Sequence, residues 1–224
     1  MIFLKLSVII SLFKQEGKQM KGKLITFEGI EGAGKSTQAK KLHQYLTEKG
    51  IKTILTREPG GTKTGKKIRE ILLSKTDEIF PSVAELFLYE ADRNFHINNI
   101  IKPYLKKGYI VISDRFTDST LAYQGYARGL DIKLIKKMNE IASEGIKPNI
   151  TFLIDIPVEE GMKRIKREKD RIENEDLQFH HRLRKGFLKI AEEEKERIFV
   201  IDGTDSEENI FQQILEIIKN RHII

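Results

Sequence analysis

The sequence predicts a three-layer α/β fold, a five-stranded parallel sheet flanked by helices. Three observations predict it. Five short apolar runs rich in β-branched residues recur along the chain, amphipathic stretches with apolar residues near 3.6 spacing separate them, and no repeat, low-complexity tract or Pro/Gly/Ser linker divides the chain. Strands that read as continuous apolar runs are buried on both faces, which is the habit of parallel sheets joined by right-handed helical crossovers.

The elements follow in order. Leu24-Ile25-Thr26-Phe27 reads as the first buried strand, and Ser36 to Lys49 as a helix with Ala39, Leu42, Tyr45 and Leu46 on one face and Gly50 at its end. Thr53-Ile54-Leu55-Thr56 is the second strand. A long helix is expected from about Ser82 to Lys107, stopped by Gly108, before the strand Tyr109 to Ser113. Helical segments near 118–144 precede the strand Ile150 to Ile154. The last strand is Ile198 to Ile201, and a helix over about 207–220 presents Ile210, Phe211, Ile214, Leu215 and Ile218 as its apolar face.

The chain has 224 residues, 39% apolar and 33% charged, which suits one globular core and neither disorder nor a membrane bundle. The absence of cysteine excludes a disulfide scaffold, a Cys-ligated metal and thiol catalysis, and fits a cytoplasmic protein. Forty Lys and Arg against 33 Asp and Glu give a net charge of +7, which points to anionic partners or simply to a soluble, Lys-rich surface. Residues 1–19 begin with an apolar run, MIFLKLSVIISLF, too short to span a bilayer and followed by no small-x-small cleavage site. They read as an extension outside the domain at 20–224, poorly ordered or produced by an upstream start codon with Met20 as initiator. A peripheral membrane or partner-binding helix is the alternative; no stable membrane association is expected.

Directly after the first strand, Gly29-Ile30-Glu31-Gly32-Ala33-Gly34-Lys35-Ser36 matches G-x-x-x-x-G-K-[ST]. Glycines let backbone N–H groups curl around phosphates, and the helix that follows aims its positive N-terminal end at the same point. Lys35 is expected on the β- and γ-phosphates of a bound nucleotide and the Ser36 hydroxyl on Mg²⁺. Asp114, at the carboxyl end of the third strand, is the expected second Mg²⁺ residue, held through water; a helix cap is its bland alternative. Arg57 and Arg115 also follow strands, and Arg93 lies on the long helix. Each alone reads as a surface salt-bridge residue; together they point to a second phosphorylated ligand facing the first.

Five segments carry a resemblance. Phe27 to Thr37, Arg57-Glu58-Pro59-Gly60-Gly61-Thr62, Asp114-Arg115-Phe116-Thr117-Asp118-Ser119, Ala122-Tyr123-Gln124-Gly125 and Asp170-Arg171-Ile172-Glu173 resemble the thymidylate kinases, in that family's order and over about residues 21–220. The resemblance implies a P-loop NTPase fold with a mobile lid, transfer of the γ-phosphoryl of ATP to dTMP for dTTP synthesis, and a cytoplasmic homodimer that binds no nucleic acid. It implies ATP on Gly29 to Thr37, and Arg57 and Arg115 on the dTMP phosphate. Tyr89 would stack on thymine where the family usually has Phe, Arg93 would donate to its O4, and Ser119, Thr120 and Gln124 would line the base pocket. Tyr123 would pack on the deoxyribose, and Glu31 would accept from the sugar 3′-OH. The resemblance also assigns the adenine to the loop Asp202-Gly203-Thr204-Asp205, residues that would serve equally as helix caps.

Residues 163–171, with six positive and two negative charges, read as a solvated helix face or, by the resemblance, as part of a lid at about 163–176. Some family members carry an arginine inside the phosphate loop; here that position is Gly32, so the lid would supply it, with Arg167 and Arg171 as candidates and Arg164 behind them. No general base is required, because a phosphate monoester with a second pKa near ~6 is already nucleophilic at neutral pH. Another nucleotide acceptor, and an ATPase binding nucleic acid through its basic surface, are the competing readings. The five histidines show no metal spacing, and His180 and His181 read as surface residues.

Overall fold

The computed structural model describes residues 21–224; the expectation for residues 1–19 lies outside the described residues. The chain runs β1 (Lys23–Glu28), α1 (Lys35–Glu48), β2 (Thr53–Arg57), α2 (Lys63–Leu73), α3 (Ser82–His96), β3 (Ile110–Asp114), α4 (Thr117–Thr120, continuing as Leu121–Ala127), α5 (Ile132–Ala142), β4 (Ile150–Asp155), α6 (Val158–Arg164), α7 (Leu177–Glu193), β5 (Ile198–Asp202) and α8 (Glu207–Asn220). All five strands are parallel in the order β2-β3-β1-β4-β5, with β1 central. The three-layer fold is therefore present.

Alternate residues of β1 feed two cores. Ile25 and Phe27 pack with α1, α4, α7 and α8, whereas Leu24 packs on the other face with Ile97, Ile101, Leu105 and Val111. The five apolar residues expected on α8 are all buried, and Ser206 caps that helix by accepting from Asn209 N at 3.1 Å. Registers Phe27↔Asp114 and Arg57↔Asp114 bring the carboxyl ends of β1, β2 and β3 level, so the residues after them face one cleft.

Three local features depart from the sequence reading. The long helix after Ser82 changes to a wider π turn at Ile97–Ile101 before Lys102–Lys106, where Pro103 lacks an N–H and its ring would crowd the Asn99 carbonyl in a regular α-helix. Helix α2 was not expected, since Gly65 and the lysines around it disguise its apolar face. Thr62 caps it by accepting from Gly65 N at 2.9 Å, and a Cβ at position 65 would lie 2.2 Å from Asp92 Oδ1, so glycine there serves close packing on α3. His180 is buried against Phe179, ring centroids 5.3 Å apart, and is no surface residue; His181 is the exposed one, beside Glu159.

Candidate active site

The loop from Gly29 to Ser36 joins β1 to α1. Ile30 and Ala33 point down into the core, which fixes the loop from beneath. Gly32 and Gly34 have φ of 74° and 93°, the left-handed region that glycine tolerates. A Cβ on Gly32 would stand 2.2 Å from the Gly161 carbonyl oxygen, so this loop has no room for a side chain there. No side chain caps α1, which leaves its first N–H groups turned toward the loop.

Lys35 is buried, and its Nζ donates to the Ile30 carbonyl at 2.5 Å. Burial, and then the nearby Arg115 guanidinium, lower its ammonium to about 8. The Ser36 hydroxyl donates to Asp114 Oδ2. Two oxygen donors in contact at the foot of a phosphate loop are the protein share of an Mg²⁺ site whose other ligands are waters and phosphates, so these residues fit that ion. Among the described residues no cluster of three or more His, Cys, Asp or Glu could hold a metal unaided.

Arg115 stands at the centre. Its φ of 75° is uncommon for a non-glycine residue, and the backbone is held there from several sides: Arg115 N donates to Phe27 O at 3.0 Å, and Glu28 accepts from Phe116 N at 2.7 Å and from the Ser119 hydroxyl at 2.6 Å. The guanidinium donates to Gly29 O, Ser119 Oγ and Glu31 Oε1, each at 3.0 Å, and lies 5.0 Å over the Tyr123 ring. It therefore touches the phosphate loop and α4 together. Burial alone would raise the Glu31 carboxyl; Arg115, Lys35 and the Tyr123 hydroxyl hold it below its ordinary range. Glu31 Oε1 serves Arg115 and Tyr123, while Oε2 is buried without a partner among the described residues.

One cavity of about 320 Å³ runs from Lys35 and Ser36 past Arg57 and Arg115 to Tyr89 and Gln124. Glu31, Gly32, Arg93, Asp114, Ser119, Thr120 and Tyr123 also line it, so most of the expected site residues share one space. Gly29, Ile30, Ala33, Gly34 and Thr37 do not line it. Arg57 makes no ion pair among the described residues. Beside it stands Arg69, which sequence reasoning missed because it belongs to the unexpected α2; its one hydrogen bond among the described residues is to Pro59 O at 3.2 Å. Burial, and then Arg57, lower the Arg69 guanidinium, which describes a pocket of unbalanced positive charge.

Arg93 is fully buried and all five of its N–H groups are engaged. They go to Glu58 at 2.9 Å, Glu90 at 3.0 Å, Asn139 at 2.6 Å, Phe116 O at 3.1 Å and Thr120 Oγ1 at 2.9 Å. Donation to a base requires one of these bonds to be exchanged. Behind it, His96 bridges Glu58 and Thr56 at 2.9 and 2.6 Å, and Asp92 accepts from Gly60 N at 3.1 Å, so α3 clamps the Arg57-to-Thr62 turn. Tyr89 lies one turn before Arg93, and its hydroxyl makes no hydrogen bond among the described residues. Burial, and then Glu85, raise it above the ordinary phenol range.

The lid arginines divide. Arg167 lines the cavity, is 63% exposed and forms a two-pronged pair with Glu173 at 2.8 and 2.6 Å. Arg164 lines it too, and donates to Gly203 O at 3.1 Å, in the loop expected to meet adenine. Arg171, expected over the transferring phosphoryl group, is set elsewhere: it donates to Leu72 O at 2.9 Å and Glu85 at 2.6 Å, and stacks 4.0 Å from the Phe80 ring centroid. A glycine-rich phosphate loop, an acidic strand end and a second cationic pocket define an enzyme class, the nucleotide-dependent phosphotransferases.

Comparison with known proteins narrows this. The thymidylate kinase family profile matches residues 27–214. A thymidylate kinase from Sulfurihydrogenibium sp. (strain YO3AOP1) is 60% identical over 203 residues, 91% of this chain and 100% of its own length. One from Carboxydothermus hydrogenoformans is 52% identical over 87% of this chain and 96% of its own. The crystal structure of thymidylate kinase from Ehrlichia chaffeensis superposes with a TM-score of 0.73 at 37% identity, covering 88% of this chain and 98% of that one. The chain belongs to the thymidylate kinase family.

Proposed function

We propose that this cavity performs the family's reaction, ATP + dTMP giving ADP + dTDP, with the two nucleotides meeting between Lys35 and Arg115. Membership of the family makes the chain a phosphotransferase acting on dTMP with ATP as co-substrate. The observation that carries the residue-level reading is the continuity of the cavity from the phosphate loop to the unpaired Arg57 and Arg69 and on to Tyr89.

ATP phosphates enter the loop, and Lys35 exchanges the Ile30 carbonyl for their oxygens. Ser36 and Asp114 would hold Mg²⁺, which when bound supplies charge neutralisation on the phosphates. The dTMP phosphate sits between Arg57 and Arg115, with Arg69 adding charge from the side. Its oxygen attacks the γ-phosphorus in line, needing no base. Tyr89 offers its ring to the thymine face, Thr120 has a hydroxyl proton to give, and the orphan Glu31 Oε2 is an acceptor for the sugar 3′-OH. Tyr123, tied to Glu31, packs where the sugar would lie. Arg167, exposed and held among the described residues by Glu173 and Glu168 O, is the lid arginine best able to turn onto the transferring group. The lid at about 163–176, within a single domain over 20–224, belongs to the same reading.

A homodimer belongs to it as well. Val83 and Phe87, one turn apart on α3, are exposed apolar side chains that a second copy would cover. A chain without cysteine suits a reducing compartment, and we place the enzyme in the cytoplasm.

The test is ADP release with dTMP, dUMP, UMP, CMP and AMP as acceptors. dTMP should be fastest, with dUMP next because one methyl group gives only about 1–3 kcal/mol of discrimination. Faster turnover of AMP, UMP or CMP would sink the reading.

The Lys35 ammonium supplies a second test. With its pKa lowered to about 8, it is largely neutral at pH 9, and a bound polyphosphate raises it again. Binding of a non-hydrolysable ATP analogue at pH 9 should therefore take up close to one proton, read by calorimetry in buffers of different ionisation enthalpy. The uptake should fall away at pH 7, where Lys35 is charged before and after binding, and vanish in Lys35→Ala.

A further inference from the structure

Glu85 lies on α3, one turn before Tyr89, and is 1% exposed. Four hydrogen bonds converge on its carboxylate. Oε1 accepts from Gln124 Nε2 at 2.9 Å and Arg128 Nε at 3.1 Å; Oε2 accepts from Arg128 at 3.2 Å and Arg171 at 2.6 Å. Arg128 is in turn paired with Glu175 at 2.6 Å, so two cations, one of them from the lid, face this acid. An ionised carboxylate only accepts hydrogen bonds, and Gln124 must therefore turn its NH₂ toward Glu85. With Nε2 held against Glu85, the amide of Gln124, itself 1% exposed but lining the cavity, turns its carbonyl oxygen away from that carboxylate as the acceptor that can meet a ligand.

We infer that Glu85 is a positioning residue for specificity: it fixes the Gln124 amide so that the cavity reads a pyrimidine with an imide N–H and rejects one whose ring nitrogen is an acceptor. Cytosine would oppose its acceptor nitrogen to the Gln124 carbonyl, two lone pairs facing each other in a dry pocket. An amide free to flip would accept either base, so the discrimination lies in the carboxylate that forbids the flip. Arg171 and Arg128 keep that carboxylate charged, which ties the lid to base recognition. Two effects oppose each other at Glu85: burial would push the carboxyl up, and its contacts with Arg128, Gln124 and Arg171 hold it below the ordinary range. The inference rests on the reading of Gln124 as a base-pocket residue.

The experiment compares kcat/KM for dTMP and dCMP in the full-length enzyme. Glu85→Gln can donate to the Gln124 carbonyl and so permits the flip; the dTMP/dCMP ratio should fall at least tenfold, chiefly through KM. Glu85→Asp, which remains an acceptor only, should keep the ratio even if both rates drop. A merely structural Glu85 would lower both substrates alike in Glu85→Gln, and an unchanged ratio there overturns the inference. Gln124→Ala separates the two levels: if it shifts the ratio and Glu85→Gln does not, only the inference fails, whereas if neither shifts it the pocket reading fails as well. Should Glu85→Gln not fold, NMR of the unaltered protein decides. The Gln124 side-chain NH₂ should stay protected from exchange with and without dTMP, and free exchange would contradict the assignment.

Discussion

Replacement of Arg115 by alanine is expected to lower kcat/KM for dTMP by about 10³-fold, the scale on which a charged group at a transferring phosphate acts. Three losses coincide. The dTMP phosphate loses a fork that can bind two of its oxygens, Glu31 loses the cation 3.0 Å from its buried carboxylate, and Tyr123 loses the guanidinium over its ring. A lysine at 115 should recover little, because one ammonium cannot reach Gly29 O, Glu31 and Ser119 together as the fork does. The KM for ATP should move far less than that for dTMP. A loss under tenfold would show that Arg115 only braces the loop.

Lys35→Met should separate activity from stability. The turnover number should drop by about 10³-fold, equivalent to about 4 kcal/mol of transition-state stabilisation, since the ammonium sits where charge develops on the transferring group. The folded protein should melt at the same or a higher temperature. Charged Lys35 is disfavoured in its buried place beside Arg115, so below its unfolded pKa it costs stability that a methionine of similar length does not. Its stability cost is fully present at pH 7 and fades as pH rises past about 8. A melting temperature that falls with the turnover number would mean that Lys35 is chiefly a structural tie to Ile30.

The parts of the site legible in the sequence are those written in contiguous residues at strand ends. Gly29 to Ser36, Arg57 and Asp114-Arg115 follow apolar strands directly, and a parallel sheet carries every such end to one edge. The parts that were not legible depend on how helices pack across that edge. Arg69 sits on a helix whose glycine looks like a turn until Asp92 is seen against it. Glu85 reads as one more acid on an amphipathic helix, and only the folding of residues 124, 128 and 171 around it gives it four donors. Arg171 illustrates the converse. The family resemblance put it in a lid over the phosphates, but nothing local in the sequence records that Leu72 O, Phe80 and Glu85 take it. The family resemblance implied Arg93 as a base donor, but its five protein partners come from four separate segments that nothing local in the sequence joins.

A crystal structure of the complex with dTMP and a non-hydrolysable ATP analogue tests most directly whether the two nucleotides meet across Lys35 and Arg115 in one cavity. The expected complex has the dTMP phosphate between Arg57 and Arg115, the base against Tyr89 with its N–H on the Gln124 carbonyl, and the γ-phosphate on Lys35. A dTMP phosphate seated in the Gly29-to-Ser36 loop, or a base lying away from Tyr89 and Gln124, would contradict it.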